Sequence, residues 1–207
     1  MTMTPPDLRF LAIKLLLVLV AVASLGLTAC DKGAAWETRD ITGLMPDLAF
    51  TLSEASDGST VTPEGFRGKV LLVYFGYTNC PDVCPTTLGR LKSLVAGLGD
   101  RAGEVRVLFV TVDPARDTPK IMKDYSTYFG PAVVGLRGDQ AELRALTKRY
   151  RVTYGYDKPD EDGYYAVSHS SAVYVFDGSG AARLLLRPTD SDTAIEHDLQ
   201  RLVAEAG

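Results

Sequence analysis

Two long apolar runs constrain the fold of this chain more than any other sequence feature. The run Lys69–Phe75 is rich in β-branched and aromatic residues, and Val105–Val112 is a second continuous apolar run. Runs of this kind are typical of strands with two buried faces. Between them, Leu and Val recur at helical spacing over residues 88–98. The pattern therefore predicts two buried strands of a central sheet, with a helix between them.

The rest of the chain continues this alternation of strands and helices. Thr118 and Pro119 predict a helix start, because a hydroxyl can cap the first turn and proline is favoured at the first helical position. The further predicted elements are strands at 47–52, 133–136, 172–176 and 183–186 and helices at 140–150 and 195–204. Together they predict a single α/β or α+β domain with a central mixed sheet.

The N-terminal segment has the pattern of a secretion signal. Arg9 and Lys14 precede the apolar segment Leu15–Leu27, which is short for a membrane span. Residues 27–30 resemble a bacterial lipobox, which implies cleavage before Cys30 and acylation of its thiol. The alternative is an uncleaved anchor. Both readings place the remaining chain outside the cytoplasm and tethered to a membrane.

These features predict three parts: a signal peptide at 1–29, a lipidated cysteine with a polar linker at 30–43, and a folded domain at 44–207. In Gram-negative lipoproteins, an aspartate after the lipidated cysteine, here Asp31, is associated with retention in the inner membrane. We therefore expect a lipid-anchored protein on the periplasmic face of the bacterial inner membrane. The net charge of −4 and the lack of long basic runs disfavour nucleic acid as a partner.

Cys80 and Cys84 are the only cysteines left in the body of the chain if Cys30 carries lipid. With Pro81 and Asp82 between them, they indicate an exposed loop. A link across this spacing would constrain the unfolded chain little, so a chemical role is favoured over a structural one. The pair could hold one soft metal ion or form a disulfide, and the spacing does not choose between these. Their place at the start of a helix resembles the thioredoxin arrangement, in which thiolate is favoured over thiol.

One of the two histidines is placed to join the cysteines. His197 lies between two acidic residues on a charged helix face, which favours a solvated surface. His169 lies before the predicted strand 172–176, and in thioredoxin-like folds the loop entering this strand packs against the cysteine loop. An imidazole there would complete a site with two sulfur ligands and one nitrogen ligand. Such a site favours Cu(I) or another soft or borderline metal. Zinc would normally require a fourth ligand, and a carboxylate from Asp82 or Asp113 stays an open alternative.

Three sequence blocks resemble the Sco/SenC family. They are Gly68–Pro85, which contains both cysteines, then Thr111–Pro119 and Val167–Ser170, in the family's order. Family members often have aspartate just before the histidine, whereas this chain has Ser168. The departure affects a neighbour of the candidate ligand and leaves the metal-binding set intact.

This resemblance implies a thioredoxin-like sandwich, with a mixed sheet flanked by helices, that binds one copper ion, Cu(I) or Cu(II), through Cys80, Cys84 and His169. It implies a membrane-tethered metallochaperone that serves the dinuclear copper centre of cytochrome c oxidase during its assembly. The expected partner is the copper-site subunit of that oxidase. Other periplasmic copper chaperones or thiol reductants are further candidates. Turn and cap chemistry accounts for much of the block 111–119, so its charged residues are not counted as ligands.

Two enzymatic alternatives remain. A thiol–disulfide oxidoreductase would use Cys80 and Cys84 as a redox-active pair, which forms a disulfide when oxidised, to reduce the copper-site cysteines of the oxidase. It does not require His169 as a ligand. A peroxiredoxin-like peroxidase is disfavoured, because that family has a threonine three residues before its cysteine and Pro81 occupies this position here. Whether the chain is an enzyme stays open.

Overall fold

The computed structural model describes residues 35–206. Its strands are β1 (Arg39–Asp40), β2 (Leu52–Glu54), β3 (Thr60–Val61), β4 (Val70–Gly76), β5 (Val105–Thr111), β6 (Val133–Arg137), β7 (Tyr154–Tyr156), β8 (Val167–His169), β9 (Val173–Phe176) and β10 (Ala182–Leu186). Its α-helices are α1 (Val83–Gly97), α2 (Pro119–Tyr128), α3 (Gln140–Arg149) and α4 (Asp192–Ala206). Short 3-10 helices lie at Pro63–Phe66 and Gly99–Glu104.

The main sheet is mixed and has the order β1-β10-β9-β4-β5-β6-β2-β3. The neighbours β4, β5 and β6 run parallel, whereas β9 is antiparallel to β4. Every residue of β4 is buried, as expected for a strand covered on both faces. The prediction of a mixed central sheet flanked by helices is therefore confirmed.

The strand directions bring three loops to one edge of the sheet. In the parallel pair β4 and β5, Gly76 lies opposite Thr111, so both strands end at the same edge. The antiparallel strand β9 begins there, because its first residue, Val173, lies opposite Tyr74. The cysteine loop after β4, the loop after β5 and the segment before β9 consequently meet.

Local sequence explains where the helices begin. The backbone N–H of Ile121 donates to the Thr118 hydroxyl at 3.3 Å, which is the predicted N-cap of α2. Helix α3 begins with a capping box between Asp139 and Glu142. Helix α1 buries one apolar face, formed by Leu88, Leu91, Leu94 and Val95.

The structure differs from the sequence-based expectation at several places, beginning with the segment before β2. Residues 47–51 are not a strand, and β2 begins only at Leu52. The Tyr150 hydroxyl accepts from the Ala49 N–H and donates to the Asp47 carbonyl, so these backbone groups bond to a side chain instead of a neighbouring strand. A second difference is the hairpin of β7 and β8, which the sequence pattern does not predict.

The packed part of the chain begins before the predicted linker ends. Strand β1 pairs with β10, and Ile41 is buried. The Thr38 N–H and hydroxyl both donate to the buried Asp198 carboxylate, at 2.8 and 2.7 Å. The predicted signal peptide and Cys30 lie outside the described residues. Within residues 35–206, none of the helices has the length and apolar character that crossing a bilayer requires.

Candidate metal centre

The two cysteines lie at the start of helix α1. Cys84 is the second residue of the helix and is completely buried, whereas Cys80 lies in the preceding loop and is partly exposed. Both thiols are free. The backbone N–H of Cys84 donates to the Cys80 sulfur at 3.4 Å, which turns that sulfur toward the helix.

His169 comes to the cysteines from the last position of β8. Its Nε2 lies 3.3 Å from the Cys84 sulfur, and the donor atoms of Cys80, Cys84 and His169 all lie within 4.8 Å of one another. Its Nδ1 lies 3.0 Å from the Ser170 carbonyl. Because a carbonyl can only accept, Nδ1 carries the proton and the Nε2 lone pair faces the sulfur. A backbone carbonyl commonly orients a metal-binding imidazole in this way.

The second histidine lies elsewhere, as predicted. His197 is half-exposed on α4, with its Nδ1 3.1 Å from Asp198 and 3.6 Å from Glu37. These carboxylates account for its contacts, and it does not belong to the cysteine cluster. The structure thus separates the two histidines in the manner the sequence predicts.

Tyrosine rings enclose the imidazole and the buried sulfur. Tyr74 and Tyr77 meet the His169 ring edge-on, with centroid distances of 6.0 and 5.8 Å. The Tyr74 hydroxyl also donates to the Cys84 sulfur at 3.5 Å. Burial raises the pKa of Tyr74, so this hydroxyl stays protonated and remains a donor.

Burial corrects the expectation that thiolate is favoured at this helix start. It raises the pKa of the Cys84 thiol to about 12, although hydrogen bonds from Tyr74 and the Tyr77 backbone act in the opposite direction. Desolvation disfavours the charged sulfur more than these contacts favour it. The cysteine pair is also less exposed than expected, since only Cys80 reaches the surface. A metal ion that binds Cys84 must therefore displace its proton.

A buried carboxylate in the loop after β5 supports the cysteine loop, a role that the sequence pattern does not predict. The buried Asp117 carboxylate accepts from the hydroxyls of Thr78 and Thr111, at 2.6 and 2.5 Å. It also accepts from the Thr78 backbone N–H at 3.1 Å. Burial raises the pKa of Asp117, and these hydrogen bonds oppose the shift. Asp117 thus connects the ends of the two central strands beside the site.

The donor set suits a soft metal ion. Among the residues that the structure describes, one group of at least three potential metal ligands lies close together, namely Cys80, Cys84 and His169. Asp113, considered above as a fourth ligand, accepts from Arg116 with one carboxylate oxygen and from the Tyr165 hydroxyl with the other. Asp82 does not belong to the cluster. Two sulfurs and one imidazole fit copper better than magnesium or calcium, which prefer oxygen ligands.

Gly76, the last residue of β4, makes room for the buried sulfur. A Cβ added there would lie 2.7 Å from the Cys84 sulfur and 2.8 Å from a ring carbon of Phe109. We expect Gly76→Ala to lower the free energy of unfolding by about 1–3 kcal/mol, the usual cost of overpacking a core. Denaturant unfolding of the full chain measures this effect.

Gly89→Ala is the matched control, because a Cβ at Gly89 in α1 has no neighbour within 4 Å. Alanine is a better helix former than glycine by roughly 0.5–1 kcal/mol, so this variant should be slightly more stable than the wild type. Equal stability of Gly76→Ala and the wild type would contradict the close contact with Cys84.

Comparison with known proteins identifies the same family that the three sequence blocks resemble. The SCO1/SenC family profile matches residues 46–204. An SCO2-like protein of Rickettsia felis is 34% identical over 125 residues, which are 60% of this chain and 61% of that protein. The chain thus aligns with about three fifths of the length of such curated relatives.

Solved structures share the fold. ScoI of Bradyrhizobium japonicum, determined with copper bound, superimposes with a TM-score of 0.65 at 34% identity and covers 77% of this chain and 96% of that one. BsSco superimposes with a TM-score of 0.57 at 22% identity, covering 76% and 95%, which shows similarity of fold alone. That protein is described as having a disulfide switch and as a member of the Sco family of cytochrome c oxidase assembly proteins.

Proposed function

Because the chain belongs to the SCO1/SenC family, we propose that it is a copper metallochaperone that binds one copper ion through Cys80, Cys84 and His169. The proposed recipient is the dinuclear copper centre of cytochrome c oxidase during its assembly. The observation that carries the proposal is the cluster of two thiols and one imidazole within 4.8 Å. Copper in the related ScoI supports the choice of metal, and the resemblance to the Sco/SenC family implies the choice of partner.

The different burial of the two sulfurs suggests an order for copper transfer. Cys80 is partly exposed, whereas Cys84 is buried beneath Tyr74. An incoming thiolate from the oxidase subunit can therefore reach the copper ion from the Cys80 side. We expect Cys80 to be exchanged first, while Cys84 and His169 still hold the ion. Low coordination permits this exchange, because a new ligand can bind before an old one leaves.

Anaerobic titration of the reduced full chain with Cu(I), and separately with Cu(II), tests the proposal. We expect one tightly bound copper ion per chain in the wild type and in Cys30→Ser, because Cys30 is assigned to lipid and not to the site. Cys80→Ser should lose tight binding, because a serine hydroxyl is a poor ligand for a soft metal. Unchanged binding by Cys80→Ser, or its loss in Cys30→Ser, would contradict this assignment.

A second candidate function is reduction of the copper-site cysteines of the oxidase. The partly exposed Cys80 favours it, because as a thiolate it can attack a partner disulfide and form a mixed disulfide. Cys84 then gives its proton to the partner thiolate released in the first step and attacks the Cys80 sulfur, which releases the reduced partner and leaves the Cys80–Cys84 disulfide. Two electrons pass to the partner, and an external thiol reductant must restore the pair. Accumulation of the mixed disulfide in Cys84→Ser, and not in Cys80→Ser, would support this activity.

We also propose that the domain is anchored by lipid at Cys30 to the periplasmic face of the bacterial inner membrane. The apolar segment Leu15–Leu27, the lipobox-like residues 27–30 and Asp31 support this location. Mass spectrometry of the protein extracted from membranes provides the test. A chain that retains residues 1–29 and an unmodified Cys30 would contradict the proposal.

A further inference from the structure

We propose that Arg116 is a positioning residue for His169. It holds the hairpin of β7 and β8, which carries the imidazole, against the loop that follows β5. The inference rests on the proposed function, because it concerns the geometry of the same three-ligand site. It assigns a role to a residue that the sequence attributes to turn and cap chemistry.

The hairpin requires such support because it is separate from the main sheet. Strands β7 and β8 pair with each other in a two-stranded sheet of their own. The backbone ladder of the main sheet therefore does not by itself set the distance between His169 and Cys84. Cys84, in contrast, lies on a helix that begins shortly after the central strand β4. The main sheet brings the segment before β9 to the cysteine loop, and side-chain contacts then set the position of the imidazole there.

Arg116 joins the two parts through a closed triangle of contacts. Its Nη1 donates to the Tyr165 carbonyl at 2.8 Å, and its guanidinium lies 3.7 Å from the Tyr165 ring centroid. Its Nε donates to Asp113, whose other carboxylate oxygen accepts from the Tyr165 hydroxyl at 2.9 Å. Asp113 is buried and belongs to the loop after β5, whereas Tyr165 lies two residues before β8. The triangle thus ties the hairpin to the main sheet.

A second set of contacts leads from Arg116 to the imidazole. The guanidinium lies 5.6 Å from the centroid of the Tyr77 ring, and that ring lies 5.8 Å from the His169 ring. The Tyr77 hydroxyl also accepts from the Val167 N–H at 3.5 Å, at the start of β8. Tyr77 is therefore packed between the arginine and the histidine. Displacement of Arg116 would loosen both Tyr77 and the strand that ends at His169.

The geometry depends on a guanidinium and not only on its charge. Arginine donates in two directions from one plane and stacks on an aromatic face, whereas a lysine ammonium is a compact point charge. Lysine at position 116 could still pair with Asp113. It could not also donate to the Tyr165 carbonyl while lying flat against that ring. Arg116→Lys therefore separates the positioning role from simple charge neutralisation.

The test compares copper binding by full-length Arg116→Lys and wild type. We expect a 10- to 100-fold weaker affinity for Cu(I), the usual effect of removing support from a metal-binding histidine. X-ray absorption of the copper-loaded variant should show fewer nitrogen ligands per copper ion than the wild type. Formation of the Cys80–Cys84 disulfide should proceed at the wild-type rate, because neither cysteine contacts Arg116 in the triangle.

Arg183→Lys is the matched control. Arg183 is also mostly buried, pairs with two carboxylates at 3.0 and 2.8 Å, and lies over an aromatic ring, that of Trp36, at 5.2 Å. It belongs to β10 and is not part of the triangle. Its replacement should lower stability and leave the affinity and the nitrogen coordination of copper unchanged. Equal loss of copper binding in both lysine variants would overturn the proposal, because the effect would then be one of general stability.

Tyr165→Leu tests the same contact from the hairpin side and serves also if Arg116→Lys does not fold. It removes the stacking face and the hydroxyl, so a comparable loss of nitrogen coordination is expected. Wild-type affinity and nitrogen coordination in the folded variants would overturn the role of Arg116 and leave the copper-binding proposal intact. A wild-type copper site without nitrogen would instead overturn the proposed function, and this inference with it.

Discussion

Replacement of His169 by alanine is expected to weaken copper binding by at least about 100-fold, because loss of a direct ligand should exceed the 10- to 100-fold effect of losing its support. The imidazole Nε2 faces the Cys84 sulfur at 3.3 Å and is the nitrogen donor of the cluster. Without the imidazole, the sulfurs of Cys80 and Cys84 are the ligands of the cluster that remain. A competition titration against a Cu(I) chelator under anaerobic conditions measures the change.

The same variant separates the two candidate functions. Thiol–disulfide exchange requires only Cys80 and Cys84, so His169→Ala should form and reduce the disulfide normally. His197→Ala is the matched control, because that imidazole contacts Glu37 and Asp198 and not the cysteines. Copper affinity in the control should equal that of the wild type. Unchanged affinity and stoichiometry in His169→Ala would remove the nitrogen ligand from the proposed site.

Oxidation of Cys80 and Cys84 to a disulfide is expected to abolish copper binding. The reaction removes two electrons and two protons from the thiols and leaves His169 as the remaining donor. The two sulfurs lie within 4.8 Å, and a disulfide requires about 2.05 Å, so a modest movement of the Cys80 loop suffices. Treatment of the full chain with diamide, followed by desalting and metal analysis, should show protein without copper.

Reversal provides the control for this experiment. Reduction of the disulfide with excess thiol should restore binding of one copper ion per chain, which excludes irreversible oxidation as the cause of the loss. Cys30→Ser should behave like the wild type, because Cys30 does not belong to the proposed redox pair. Copper retained by the fully oxidised chain would show that the thiolates are not the principal ligands.

Much of the fold follows from local sequence. The runs that become β4 and β5 are continuous and apolar, and their boundaries agree with the structure to within one residue. The start of α2 was predicted from Thr118 and Pro119, because capping depends on neighbouring residues alone. The hairpin of β7 and β8 was missed, since each strand has three residues and pairs only with the other.

The residues that support the metal-ligand loops could not be predicted from local sequence. Arg116 and Asp117 lie in a segment rich in turn and cap residues, and local chemistry explains such a segment without reference to distant contacts. Their partners, Tyr165 and Thr78, lie tens of residues away along the chain. Only the folded chain reveals that these polar groups are used to support the metal-ligand loops.

The sequence by itself determined the residue types of the site, the family of the protein, and the succession of the central strands and helices along the chain. These features depend on composition and on short-range patterns. Tertiary structure decided the protonation of Cys84 and the approach of His169. Sequence favoured thiolate at a helix start, but burial in the folded chain raises the pKa of the thiol. The imidazole reaches the sulfur because two parallel strands end, and an antiparallel strand begins, at the same edge of the sheet.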